Sequence, residues 1–203
     1  MTQLQLARQN IITQEMKHVA MDEDLDPEYI RERIADGKVV IPANHKRKAT
    51  KICGIGAGLR TKVNANIGTS ADYPDVENEM EKLRAAEEAG ADAVMDLSTG
   101  GDLRAIRKKI IGSASIAVGS VPIYEAAVKT VQHKHAIVDM TATDMLEAIR
   151  LHCEDGVDFI TVHCGATKGV LKHLKESKRI CGVVSRGGTF LVEWMIHSGK
   201  ENP

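Results

Sequence analysis

The stretch 183–189, VVSRGGT, sets Ser185, Arg186, Gly187 and Gly188 directly behind a short apolar run. A hydroxyl, a guanidinium and two glycines at the start of a helix make a site for an anion. The free N–H groups of the first turn and the positive end of the helix dipole favour phosphate, and glycine lets it come close. The guanidinium grips two phosphate oxygens at once. The plain alternative is a glycine-rich turn. For Ser185-Arg186-Gly187-Gly188 the anion site is preferred; for the parallel stretch Ser98-Thr99-Gly100-Gly101, which has no cation, the turn is preferred.

Four further residues have types that suit a polar ligand. Asn66 lies in KVNANIG (62–68), Met95 in AVMDLS (93–98), Tyr124 just after IAVGSV (116–121), and His163 in FITVHCG (159–165). Each has an ordinary role when taken singly: a turn residue, a core filler, a helix start behind Pro122, a satisfied buried histidine. Their spacing argues otherwise. Asn66 to Met95 and Met95 to Tyr124 are 29 residues each, about one βα unit, which sets equivalent side chains at equivalent heights.

Those apolar runs, with ICGVVSR (180–186), alternate with segments of helical period at 75–90, 102–112, 141–156, 168–177 and 188–201. Asp75 is placed to cap the first of these and Gly90 to end it. Strand and helix in series call for a parallel sheet, with ligands at the carboxyl ends of its strands. Two α/β architectures compete: an open doubly wound sheet of five strands, or a (β/α)8 barrel of the TIM type truncated after about five βα units. A chain that stops directly behind a helix favours the barrel. Residues 1–60 read as an N-terminal α/β extension, with two polar helical segments and a short strand, KVVIP (38–42). Residues 61–203 read as the first part of the barrel, carrying the substrate-binding strand ends.

Composition removes several classes of function. A net charge of -1 gives no field to gather nucleic acid or anionic lipid, and 3% aromatic residues make a poor base-stacking platform. The first twenty residues hold no apolar stretch of membrane or leader length, so a cytoplasmic protein with no membrane partner is expected. Cys53, Cys153, Cys164 and Cys181 are too widely spaced to suggest a disulfide framework or a metal site in this chain. Gly54-Ile55-Gly56-Ala57-Gly58 is read as a flexible loop. His45-Lys46-Arg47-Lys48 is read as a solvated loop with the option of lying over a phosphate, and His133-Lys134-His135 as surface. No nucleophile beside a base is visible.

The runs KVNANIGTSA, GADAVMDLSTGGDLRAIRKKII, VPIYEA, GVDFITVHCG and GVVSRGGTF, with IPANHKRK and GIGAGLRTKVN before them, closely resemble the phosphomethylpyrimidine synthase family. This is the hydroxymethylpyrimidine phosphate synthase family of thiamin biosynthesis, and the likeness covers nearly the whole chain. It implies a (β/α)8 barrel behind an N-terminal domain, in a homodimer. It also implies a carbon-carbon lyase (EC 4.1.99.17) of the radical S-adenosylmethionine type, with a [4Fe-4S] cluster and zinc, that rearranges aminoimidazole ribonucleotide to hydroxymethylpyrimidine phosphate. By the resemblance Asn66, Met95, Tyr124 and His163 contact substrate, and Ser185, Arg186 and Gly187 form its phosphate loop. Catalytic residues stay unassigned.

The family's later half carries an Asp-Gly-Leu-Arg loop, a Glu, two metal-binding histidines and a CxxCxxxxC motif, none of which occurs here. The ligands for cluster, S-adenosylmethionine and zinc are therefore expected outside this chain. The chain is expected to be the substrate-binding half, with a complementing C-terminal half as a partner. The alternatives are a non-catalytic module that binds a phosphoribosyl ligand or assembles with a second chain, and a self-contained doubly wound protein.

Overall fold

The computed structural model describes residues 1–47, 51–134 and 136–203. Lys48 and His135, members of the two basic runs, lie outside the described residues.

Three helices open the chain where the sequence suggested two. α1 (Gln3–Arg8) starts at a capping box in which the Thr2 side chain accepts from Gln5 N and the Gln5 side chain accepts from Thr2 N. α2 (Gln14–Glu23) is capped by Thr13, and α3 (Pro27–Ala35) by Asp26 with proline at its first position. They enclose a core of Ala7, Met16, Val19, Ala20, Ile30 and Ile34, closed by Val39 and Ile41. Val39 belongs to β1 (Val39–Val40), which pairs antiparallel with β2 (Ile55–Gly56). The flexible loop expected at Gly54–Gly58 is thus partly a strand. Its glycine is required: Gly56 has φ +152°, and a Cβ there would overlap the Lys38 backbone.

The main sheet holds β3 (Asn64–Ile67), β4 (Ala93–Asp96), β5 (Ala117–Ser120) and β6 (Phe159–Ile160). All pair in parallel, in the order β3-β4-β5-β6. The intervening helices are α4 (Val76–Glu88), α5 (Leu103–Ser113), α6 (Pro122–Lys134) and α7 (Ala142–Asp155); α8 (Lys168–Glu176) and α9 (Arg186–Ser198) follow β6. The expected cap is in place, with Asp75 accepting from Glu77 N and Asn78 N, and Asp102 caps α5 by accepting from Ala105 N.

One face of the sheet packs on helices. Ile67, Val94 and Val118 meet Met80 and Leu83 of α4 and Ile106 and Ile110 of α5. Each fully buried side chain of this size contributes roughly 1.5–3 kcal/mol. Because side chains alternate along a strand, the next residues line the other face, where Asn66, Met95, Gly119 and Phe159 form one row across the four strands. The Phe159 ring lies over Gly119 so closely that a Cβ there would fall 2.9 Å from Phe159 Cδ2.

The fifth strand expected at 180–186 is absent. Residues 180–184 are unpaired, with Ile180 and Val184 exposed, and β6 is the edge of the sheet with only two paired residues. An apolar run becomes a strand only where it finds a ladder partner and a surface to bury. The helix after it starts two residues earlier than expected, because Ser185 caps it by accepting from Gly188 N at 3.1 Å.

Candidate functional site

Ser185 thus ends the loop as the N-cap of α9, and Arg186 is the first helical residue. The Arg186 guanidinium stands 5.2 Å from the centroid of the Tyr124 ring, a cation-π distance. Tyr124 lies in the first turn of α6, and its ring packs edge-on against Phe190 of α9 with centroids 6.2 Å apart. Gly187, buried behind Arg186, lies against His163: a Cβ there would stand 2.8 Å from Nε2 and closer still to Cε1. Tyr124 behind β5, His163 behind β6, and Arg186 and Gly187 at the start of α9 therefore come together. Ser185 joins them as the cap.

Asn66 and Met95 are brought together separately, as register partners on the row that runs through Gly119 to Phe159. Asn66 is exposed, whereas Met95 is 8% exposed and fills the sheet as a core residue would. The row ends four residues before His163, so it leads towards the Tyr124 group.

His163 has an unusual inner edge. Its Nδ1 is buried with no hydrogen-bond partner among the described residues, and burial lowers its basicity, so the neutral ring is favoured. The loop behind it is pinned by Asn202 Nδ2, which donates to His163 O and Ala166 O, each at 3.0 Å. A small apolar recess of about 130 Å³ opens beside the ring, lined by Pro122, Ile123, Met145, Thr161 and Val162. The larger clefts, about 860 and 570 Å³, lie beside α1 and between α6 and α7, away from this rim. Volume does not decide here, since an anion at a helix start is held by N–H groups and a guanidinium on an open surface.

Alanine at Gly187 is the sharpest probe of this packing. It is expected to push the imidazole aside, cost about 1–3 kcal/mol of stability, and shift the His163 ring signals in an NMR spectrum. Unmoved His163 signals would show that the ring does not rest on Gly187.

One sequence reading holds and one needs revision. Ser98-Thr99-Gly100-Gly101 is a plain turn, as expected: Thr69 N donates to Ser98 Oγ at 3.1 Å, and Thr69 Oγ1 donates to Gly100 O at 2.7 Å. In the basic run His45 and Lys46 are exposed, but Arg47 is not solvated and does not lie at the ligand rim. Its guanidinium donates to Asp158, to Ile111 O at 3.1 Å, to Ile116 O at 2.9 Å and to Ala114 O. Ile116 and Asp158 immediately precede β5 and β6, so Arg47 clamps the amino ends of the strands, opposite the candidate site. His45 and Lys46 flank this clamp; of the other histidine run, His133 is exposed.

Sequence reasoning missed a buried polar chain altogether. Ser120 Oγ lies 2.7 Å from His152 Nδ1, and His152 Nε2 lies 2.8 Å from Glu125 Oε2. Arg107 Nη1 donates to the same Glu125 oxygen at 2.6 Å, and its Nη2 donates to Asp155 at 2.6 Å. Hydroxyl, imidazole and carboxylate in sequence are the parts of a nucleophilic triad. Access rules that use out, because Ser120 is 1% exposed and His152 4%.

Burial works to raise the Glu125 carboxyl, but hydrogen bonds from His152 and Lys129 and the charge of Arg107 outweigh it and hold it far below the usual range. Burial lowers the basicity of His152, Glu125 opposes this, and Arg107 adds to it, leaving the ring neutral. With the proton on Nε2, the ring donates to Glu125 and Nδ1 accepts from the Ser120 hydroxyl; Arg107 Nη1 also lies 3.0 Å from Nε2. A signal was present in the sequence: Arg107 falls in the apolar stripe Leu103, Ile106, Ile110, and His152 continues the stripe Met145, Ala148.

Among the described residues no group of three His, Cys, Asp or Glu side chains is placed to hold a metal. Cys53 is buried and Cys153, Cys164 and Cys181 are exposed. An iron-sulfur cluster, which needs several thiolates brought together, does not fit these residues. No described helix is long and apolar enough to cross a membrane.

The fold and the rim define an α/β protein with a parallel sheet, in which a phenol and an imidazole from behind β5 and β6 meet a guanidinium at a helix start. A model described as the Radical SAM ThiC family matches residues 2–203, and the chain belongs to that family. It is 53% identical over 203 residues to the phosphomethylpyrimidine synthase of Desulforamulus reducens, 53% to that of Dehalococcoides mccartyi and 54% to that of Geobacter metallireducens. In each case the match takes in 100% of this chain and 47% of the relative, so the chain spans about half the length of those proteins.

Proposed function

We propose that this chain is the substrate-binding half of a phosphomethylpyrimidine synthase acting in thiamin biosynthesis. Aminoimidazole ribonucleotide is held with its phosphate on Ser185, Arg186 and Gly187, and with its remaining polar groups towards Tyr124 and His163 and the row of Asn66 and Met95. The supporting observation is the convergence of Tyr124 and His163, from behind β5 and β6, on Arg186 at the start of α9. The strictly sequential strand order, with no reversal, supports reading the sheet as the first strands of a (β/α)8 barrel, since a doubly wound sheet reverses at its ligand site.

The reaction of the whole enzyme is the radical S-adenosylmethionine rearrangement to hydroxymethylpyrimidine phosphate. Cluster, zinc and S-adenosylmethionine are assigned to a complementing C-terminal half, because the residues here do not fit them. The working assembly is a cytoplasmic homodimer, with residues 1–60 as a separate N-terminal domain. The alternative, a non-catalytic module for a phosphoribosyl ligand, uses the same rim and differs only in lacking the complementing half.

Calorimetric titration with aminoimidazole ribonucleotide tests the site. Binding by the chain is expected, weakened tenfold or more in Arg186→Ala, since hydrogen bonds to a charged group contribute about 1.5–3 kcal/mol. Ribose 5-phosphate should compete. No binding by the unaltered chain overturns the reading of this rim, and product formed by the chain alone with S-adenosylmethionine and reconstituted iron overturns its assignment as a half.

A further inference from the structure

We propose that His152 is a positioning residue for Tyr124, fixing through Ser120 and Glu125 both ends of the elbow that carries the tyrosine to the ligand rim. This role rests on the rim being the ligand site proposed above, but its geometry can be tested without any ligand.

The elbow runs from the last residue of β5, Ser120, through Val121, Pro122 and Ile123 to Tyr124 and Glu125 in the first turn of α6. Its backbone is closed by Tyr124 N donating to Val121 O at 3.0 Å. Glu125 immediately follows Tyr124, and Ser120 precedes it by four residues. One imidazole, reaching from α7, bonds both: Ser120 Oγ at 2.7 Å and Glu125 Oε2 at 2.8 Å. Nδ1 meets Ser120 alone, while Nε2 meets the Glu125 carboxylate and also stands 3.0 Å from Arg107 Nη1. The two flanks of Tyr124 therefore cannot move independently.

The chain is anchored further out. Arg107 of α5 bonds Glu125 and Asp155 together, and Asp155 also accepts from Arg104 Nη2 at 2.8 Å. Lys129 pairs with the other Glu125 oxygen at 2.6 Å. Ser120, His152, Glu125 and Arg107 are buried, while Tyr124 faces Arg186. Such an arrangement touches no substrate; it acts by restricting a ring that does. Within the chain Arg107 Nε is buried without a hydrogen-bond partner, but the Ser120–His152–Glu125 segment is bonded end to end, and that gives orientation that an apolar contact of the same size does not. Ser120 is the most economical point at which to cut it, because the loss is one hydroxyl and little volume.

The test uses the chain labelled with ring-¹³C tyrosine, in which Tyr29, Tyr73 and Tyr124 are the three tyrosines. Ser120→Ala and His152→Gln are expected to shift and broaden the Tyr124 ring signals while those of Tyr29 and Tyr73 stay in place. Ser120→Ala is also expected to weaken aminoimidazole ribonucleotide binding by about fivefold to tenfold, the loss of roughly one hydrogen bond's worth of order. Glu125→Asp, which keeps the carboxylate but draws it back, should fall between the unaltered chain and Ser120→Ala. A purely structural role would lower the melting temperature yet leave Tyr124 signals and affinity unchanged in the folded protein, and that result overturns the proposal. Failure of His152→Gln to fold leaves Ser120→Ala to decide. Absence of ligand binding by the unaltered chain counts against the ligand reading alone, since the Tyr124 signals still decide the positioning.

Discussion

Arg47→Ala is expected to lower the thermal midpoint of the chain by about 10 °C or more. The Arg47 guanidinium supplies donors to four acceptors at the amino ends of the strands, and its partner Asp158 has a side chain only 1% exposed. Removing one member of a buried pair leaves the other charge without compensation, at a cost of about 3–5 kcal/mol. For a chain of this length, 1 kcal/mol corresponds to about 2–4 °C. Asp158 keeps its bonds from Asn44 N at 3.0 Å and Val118 N at 2.8 Å, which limits the loss. Arg47→Lys should recover only a minor part, because an ammonium cannot fork to acceptors on separate segments. Calorimetric unfolding settles it; a drop below 3 °C would show that the clamp is dispensable.

Arg107→Ala should be comparably damaging at neutral pH and, unlike the Arg47 change, should become milder in acid. In the intact chain His152 has its basicity lowered, so acidification favours the unfolded chain as pH falls through about 6.5, the ordinary histidine value. With Arg107 gone, its repulsion on the ring is gone, so the folded-state value of His152 rises towards the unfolded one, although burial still holds it down. The variant therefore loses less stability than the intact chain as pH falls through that range. The gap in melting temperature between variant and unaltered chain is therefore expected to be widest near pH 8 and to narrow towards pH 5.5. A gap that is constant across this range would mean that His152 does not answer to Arg107.

These two arginines show where the sequence was readable and where it was not. The exits of β3 to β6, the helix cap at Asp75, and the meeting of Tyr124, His163 and Arg186 followed from local pattern, because a cap or a period depends on neighbours a few residues away. Arg47 was misjudged because its partners lie at 111–158, and nothing near it in the chain announces them. Residues 180–184 have the composition of a strand yet remain unpaired, since pairing is a property of two segments and one segment's composition cannot supply it. Arg107 and His152 were legible in principle as polar residues inside apolar stripes. They were passed over because surface charge on helices is so common.

The sequential sheet order also sets a timetable. Each of β4, β5 and β6 finds its neighbour already made, so the sheet can assemble in the order in which a ribosome delivers it. Arg47 cannot follow that order, for its carboxylate partner lies 111 residues further on. At translation rates of about 5–20 residues per second, the guanidinium waits on the order of 6–20 seconds for Asp158. The N-terminal strap is therefore among the last parts to be fastened, and its closure marks the moment when β6 has arrived.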